Sequence, residues 1–178
     1  RRVDGFYTLG PLQRDMLIQF GVKTEQIFTA NEYPSQIYHD VEQIPFSLPC
    51  PLHKYVLFIG RIIPLKGLEY VIEAFASPTL SHSDIHLLIV GDALDECYRQ
   101  SLIGMAERKN LKNVHFMPGI YEDKRKSFLL NNALCGIIAS CCDASGTRDA
   151  GPLVALETLS AGTPLIMTDI IGNAWHIK

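Results

Sequence analysis

Five short apolar runs constrain this chain more than any other feature. KYVLFIG (54–60), IHLLIVG (85–91), NVHFM (113–117), ALCGIIAS (133–140) and TPLIMTD (163–169) are rich in strand-forming residues and show little polar alternation. A strand with one wet face alternates polar and apolar residues, so runs like these must be covered on both faces. The segments between them read as helices. LKGLEYVIEAFA (65–76) puts Leu68, Val71, Ile72, Phe75 and Ala76 on one stripe, and Pro78 is expected to stop it. Leu94, Tyr98, Leu102 and Met105 form the stripe of the next helix, and a more polar helix is expected over Asp123–Asn132. PLVALETLSA (152–161) has Pro152 at its first helical position and Gly162 just past its end, with Leu156 expected on its buried side. Strands alternating with helices imply a parallel sheet with helices on both faces: a Rossmann-like, doubly wound α/β unit.

The first 50 residues differ. PLQRDMLIQFG (11–21) reads as a helix between Pro11 and Gly21, and QIFTA (26–30) as a short strand. Residues 31–54 carry Pro34, Pro45, Pro49 and Pro51 with weak periodicity, the pattern of a linker. Residues 1–50 are therefore expected to be an inter-domain segment and linker, and 51–178 the main domain. A chain of 178 residues with a net charge of −3 has no basic field to recommend nucleic acid. No apolar run approaches the roughly 18–20 residues of a membrane span, and the opening RRVDGFYTLG is too mixed for a signal peptide. Cys50, Cys97, Cys135, Cys141 and Cys142 are odd in number and contain no C-x-x-C pair, which reads as reduced thiols in a cytosolic protein.

Ligands of open α/β sheets sit beyond the carboxyl ends of the strands. Three loops there carry chemistry. GRIIPLKG (60–67) combines Gly60, which lets backbone approach a ligand, with the planar donor fork of Arg61 and the point charge of Lys66, a set suited to a diphosphate. VGDALDE (90–96) alone says only that a tight turn follows a strand. DAGPLVALETLSAGTPLI (149–166) places Asp149 in a loop and Glu157 inside a helix, on either side of a helix N-terminus that already suits an anion. Acids beside such a site are expected to do something other than bind the anion. Neither G-x-x-x-x-G-K-[ST] nor G-x-G-x-x-G occurs, so no P-loop or dinucleotide fingerprint is present.

These residues carry a resemblance. YVLFIGRIIPLKGLEYVIEAF resembles a strand–G-R-x-x-x-x-K-G–helix segment, NVHFMPGIYEDKRKSFLLNNA a V-x-F-x-G strand and its helix, and RDAGPLVALETLSAGTPLI an E-x7-E segment followed by A-x-G-x-P-[VL]-I. In this order and spacing, over Lys54–Asp169, they resemble the C-terminal, donor-binding half of a GT-B glycosyltransferase of family 4. The resemblance implies a nucleoside-diphosphate-sugar donor and transfer of its glycosyl group with retention of configuration. It implies that Glu157 holds the ribose hydroxyls and Asp149 the transferred sugar. Arg61 and Lys66 would neutralise the leaving diphosphate, and Gly60, Gly151, Pro152 and Leu153 would line the donor. Ile120 and Tyr121 would meet the base, largely through backbone. A glycan or lipid-linked acceptor would be held by an N-terminal domain missing from this segment, which alone would be inactive. The setting would be polysaccharide biosynthesis, in the cytoplasm or peripherally at the inner membrane face.

The chain departs from that pattern in three places. Asp149 stands where the family usually has Glu, one methylene longer. The loop CCDASGTRD (141–149) is longer than in many relatives. The segment ends at GNAWHIK, before the expected Pro-Glu turn, so a C-terminal truncation is expected. No cofactor is implied, and without a D-x-D no carboxylate-bound metal is expected. The histidines (39, 53, 82, 86, 115, 176) lack ligand spacing and read as structural. Asp123-Lys124-Arg125-Lys126 reads as a solvated helix face, with contact to an anionic membrane as the alternative. Two other readings stay open: a non-catalytic nucleotide-binding domain of the same fold, and a Rossmann-like oxidoreductase, which the missing glycine fingerprint disfavours.

Overall fold

In a computed structural model, residues 3–8, 10–29, 46–142 and 146–171 are described. Most of the linker (31–45) and the closing GNAWHIK (172–178) lie outside them. The main unit is a parallel sheet built from β3 (Tyr55–Ile59), β4 (His86–Val90), β5 (Val114–Met117), β6 (Cys135–Ile138) and β7 (Leu165–Met167), in the spatial order β5-β4-β3-β6-β7. The chain steps outward from β3 to β5, then returns past β3 to place β6 on its other side. The expected α/β sheet is thus present, and its order reverses between β3 and β6.

Both faces are covered, as the unbroken apolar runs require. Leu87, Leu88, Ile89 and Val90 in β4 are all fully buried, although neighbours along a strand point to opposite faces. Phe58, Leu87 and Ile89 pack on one side against α2 (Leu68–Phe75) and α4 (Glu96–Arg108). Tyr55, Leu57, Leu88 and Val90 pack on the other against Leu129 and Leu130 of α5 (Asp123–Asn131). The Tyr55 hydroxyl donates to the Leu129 carbonyl at 2.8 Å, so the one polar atom of this buried ring is satisfied. A fourth helix, α6 (Leu153–Ser160), rests Ala155 near Ile138 and Ile171.

Several helix details differ from expectation. Pro78 opens a short helix, α3 (Pro78–Ser81), after α2 has ended at Phe75; its ring suits a first turn as well as it blocks an interior. Leu94 precedes α4 and is 75% exposed, because Asp95 caps the helix by accepting from the Cys97 N–H at 2.9 Å. Pro152 is the residue before the first turn of α6. Leu156 is only half-buried, and Ala155 and Thr158, three positions apart, face inward instead. Among the described residues, which include Cys50, Cys97, Cys135, Cys141 and Cys142, no disulfide forms. Among the described residues no helix is long and apolar enough to cross a membrane.

The N-terminal segment forms a separate pair of parallel strands, β1 (Phe6–Thr8) and β2 (Ile27–Thr29), joined through α1 (Pro11–Gln19). α1 and the core of β2 lie where the sequence pattern predicts them; β1 has three residues, too few to show a period. Ala30, the expected end of β2, lies outside the described residues.

Two histidines far apart in sequence meet on the sheet. His86 Nδ1 and His115 Nε2 lie 2.9 Å apart with the rings stacked. Such a bond needs at least one neutral ring, and burial followed by the neighbouring His86 holds His115 below its usual value of 6.5. A histidine with a depressed folded-state pKa binds protons less readily than the unfolded chain. Stability should therefore rise with pH up to the unfolded value and fall as pH drops below it. Urea titrations should show lower stability at pH 5 than at pH 7.5, with the difference reduced in His115→Asn; an equal difference in the variant would clear His115 of the effect.

Candidate functional site

The reversal between β3 and β6 leaves a crevice at the carboxyl edge, where the loops after both strands face each other. The loop after β3 is held from two sides. Gly60 N–H donates to the Val90 carbonyl at 3.0 Å and Ile62 N–H to the Asp92 carbonyl at 2.9 Å, which extends the β3–β4 ladder. A Cβ on Gly91 would stand 1.8 Å from the Gly60 carbonyl oxygen, so only glycine lets the two loops approach this closely. At its far end the loop makes a single 3-10 turn, Pro64–Lys66, closed by Gly67 at φ +63°. A Cβ on Gly67 would lie 2.1 Å from the Ala139 carbonyl oxygen, and Cys141 N–H donates to the Leu65 carbonyl at 2.9 Å. The turn carrying Lys66 is thus pressed against the loop after β6.

That contact brings the predicted residues Lys66 and Asp149 together. The Lys66 ammonium pairs with Asp149 Oδ2, both side chains nearly buried at 12% and 13% exposure. Ser140 donates its hydroxyl to the same oxygen at 2.8 Å. The second acid is held in the same manner. Glu157, 7% exposed in the second turn of α6, accepts from Lys126 Nζ at 2.7 Å. The run containing Lys126 is therefore not a uniformly solvated face. Arg125 pairs with Glu122 at 2.9 Å and lies over the Phe46 ring, while Lys126 turns inward. Its inward turn was not readable from the helical period, since Arg125 precedes the buried Phe128 and Leu129 by the same three and four residues and stays exposed.

Arg61 is exposed and borders a different part of the edge, a cavity of about 220 Å³ lined with Gly60, Asp92, Ile120 and Tyr121. Here too a residue outside the predicted set organises the site. Asp92 Oδ2 accepts from the Tyr121 hydroxyl at 2.6 Å, and Oδ1 from the Gly119 N–H at 2.9 Å. The Tyr121 hydroxyl and the Gly119 amide hold the Asp92 carboxyl below its usual range, and Asp92 pushes the phenol up. The Tyr121 ring is 85% exposed yet tied in place. A larger cavity of about 630 Å³ lies between α1 and the loop carrying Asp149, lined with Gln13, Asp15, Gln19, Arg148 and Asp149. Gly151, Pro152 and Leu153 connect that loop to α6, with Gly151 and Pro152 half-buried and Leu153 exposed.

Residues 41–178 match the family model for glycosyl transferases group 1. The chain belongs to that family. Its fold is that of the GT-B glycosyltransferases. A phosphatidyl-myo-inositol mannosyltransferase from Mycobacterium leprae is 30% identical over 120 residues, covering 67% of this chain and 29% of that protein. The structure of HepE from Anabaena, in complex with UDP and glucose, superposes with a TM-score of 0.78 at 17% identity, over 99% of this chain and 47% of that one. Staphylococcus aureus TarM, as a point mutant in complex with fondaparinux, α-GlcNAc-glycerol and UDP, gives 0.75 at 22% identity, over 99% and 32%. This group 1 glycosyl transferase chain thus spans less than half the length of each of these proteins.

Removing one partner of a nearly buried ion pair strands the other charge, a loss of about 3–5 kcal/mol. Lys66→Met and Asp149→Asn should each lower stability by an amount in that range, and the double variant should lose less than their sum. Chemical denaturation of the four proteins measures this; strictly additive losses would mean that the pair is not coupled. Gly67→Ala should also destabilise, since it adds a Cβ against a backbone carbonyl at a left-handed φ.

Proposed function

We propose that this chain is the donor-binding domain of a retaining glycosyltransferase that takes a nucleoside-diphosphate sugar. The observation that carries the reading is the placement of Asp149 and Glu157. They sit on either side of the α6 N-terminus, at the strand-order reversal, each nearly buried and held by a lysine. Carboxylates accept hydrogen bonds from pairs of hydroxyls, and the donor has such pairs at both ends: Glu157 takes the ribose and Asp149 the transferred sugar. The diphosphate lies between them, against the α6 N-terminus and the loop after β3. An ammonium has three donors, so Lys66 can keep Asp149 and still reach a phosphate oxygen. Arg61 adds its planar fork. The base occupies the cavity beside Ile120 and Tyr121.

In the reaction the bond between the anomeric carbon and the diphosphate oxygen breaks, and negative charge gathers on the leaving diphosphate. Lys66, held by Asp149, and the helix N-terminus are in place before that charge develops, and the exposed Arg61 turns toward it; losing one such stabiliser lowers rates by on the order of 10²–10³. No D-x-D carboxylate pair is present to hold a divalent metal beneath the diphosphate, so the cations of the chain serve that purpose in this reading. The UDP held by HepE and TarM supports a nucleotide-sugar donor. The proposal includes a glycan or lipid-linked acceptor carried by a further domain, and a cytoplasmic setting.

Calorimetry with UDP, GDP and ADP, then with UDP-glucose, GDP-mannose and ADP-glucose, tests the reading. Glu157→Ala should weaken nucleotide and nucleotide-sugar alike, by about 1–3 kcal/mol. Asp149→Asn should weaken the nucleotide-sugar by a similar amount and leave the free nucleotide nearly untouched. Arg61→Ala should cost about 1.5–3 kcal/mol with both ligands. An equal loss for nucleotide and donor in Asp149→Asn would remove Asp149 from the sugar.

A further inference from the structure

Lys126 enters the site from α5, outside the two loops that follow β3 and β6. It lies in the first turn of α5, which begins just after the loop at the carboxyl end of β5, and it crosses to Glu157 in α6. Its ammonium is 2.7 Å from Glu157 Oε1, with the two side chains 19% and 9% exposed. Lys124 and Arg125 lie on the same turn, and Arg125 is taken up by Glu122 and the Phe46 ring. Lys126 precedes Leu129 and Leu130 on the stripe that faces the sheet.

We infer that Lys126 is a positioning residue for the ribose: it fixes the Glu157 carboxylate so that the acid can take a vicinal pair of hydroxyls. This rests on the assignment of Glu157 to the ribose. A carboxylate this far from water is costly unless its charge is matched, and Lys126 supplies an opposite charge 2.7 Å away. The pair also fixes the carboxylate plane. One oxygen accepts from Lys126, and an ionised carboxylate has about four lone-pair sites, which leaves capacity for two hydroxyl donors. Without Lys126, Glu157 is left a nearly buried charge without that ammonium and turns toward water, which spoils its match to two hydroxyls. Lys126 touches no ligand itself; it acts through Glu157, and its effect should follow the ribose hydroxyls. A lysine that merely ties α5 to α6 would affect every ligand equally.

The experiment is a cycle between side chain and ligand. Calorimetry compares wild type, Lys126→Met and Lys126→Arg, using whichever of UDP, GDP or ADP the chain binds tightest, and the 2′,3′-dideoxy form of the same nucleotide. Wild type should prefer the ribonucleotide. Lys126→Met should bind it about tenfold more weakly, of the order expected for one charged hydrogen bond, and bind the dideoxy form as wild type does. Lys126→Arg, which keeps the charge, should recover most of the preference. A Lys126→Met variant that keeps the full preference, or that loses both ligands equally, overturns the role of Lys126. A wild type that binds no nucleotide, or that shows no preference for the ribose, overturns the Glu157 assignment and this inference with it. Because Lys126→Met strands a buried acid, Glu157→Gln and the double variant Lys126→Met/Glu157→Gln form a second arm. With the acid neutral, removing Lys126 should not change the ribose preference further, and a further change would overturn the proposal.

Discussion

Everything at the carboxyl edge depends on the pairing of β3 with β6. Parallel strands cannot be joined by a tight turn, so each must be reached by a crossover through a helix. Here the crossover after β5 carries the chain back over two strands and sets β6 beside β3. The loops after β3 and β6 then leave neighbouring strands, one preceding α2 and the other leading to α6. The gap between them is what Lys66 and Asp149 fill. The Gly67–Ala139 approach shows how small that gap is: there is no room for a single methyl group. A bulkier residue at Gly67 would push the β3 loop outward and take the ammonium of Lys66 with it.

The strands of the main sheet were legible in the sequence because burial on both faces leaves a signature that a half-buried strand does not. All five runs contain their strands. Helix ends were less legible, because proline and leucine have more than one use. Pro78 blocks an interior and opens a first turn equally well, and Leu94 fits a helical stripe although the Asp95 cap begins the helix after it. On α6 the helical period does not reveal which residues face in; the packing against β6 and β7 does, and it takes Val154, Ala155 and Thr158 rather than Leu156.

The residues of the candidate site were legible as types and not as partners. The spacing of Asp149 and Glu157 marked them, but nothing local said that each would meet a lysine 83 and 31 positions away in sequence. Lys126 was hidden by its neighbours, since a run of four charges suggests a wet surface. Phase alone does not tell it apart from Arg125, which precedes the buried Phe128 and Leu129 by the same three and four residues; the approach of Glu157 on α6 does. Asp92 was hidden differently: it follows Gly91 in what reads as a plain turn, and its significance comes from Tyr121 and Gly119 reaching across from the next strand's loop.

The Asp92–Tyr121 bond gives the edge two walls of unlike character. On the β4–β5 side a phenol donates to a carboxylate whose acidity has been strengthened while the phenol's has been weakened. Neither group changes its protonation anywhere near neutrality, so that wall keeps its shape through the ordinary swings of cellular pH. It is also a local bond between a neutral and an anionic group, which dissolved salt disturbs little. The opposite wall is assembled from full opposite charges, Lys66 with Asp149 and Lys126 with Glu157, shielded from water. Its rigidity lasts only while those charges stay matched. One wall is thus set by a hydrogen bond that neutral pH does not touch, and the other by shielded charges that must stay matched.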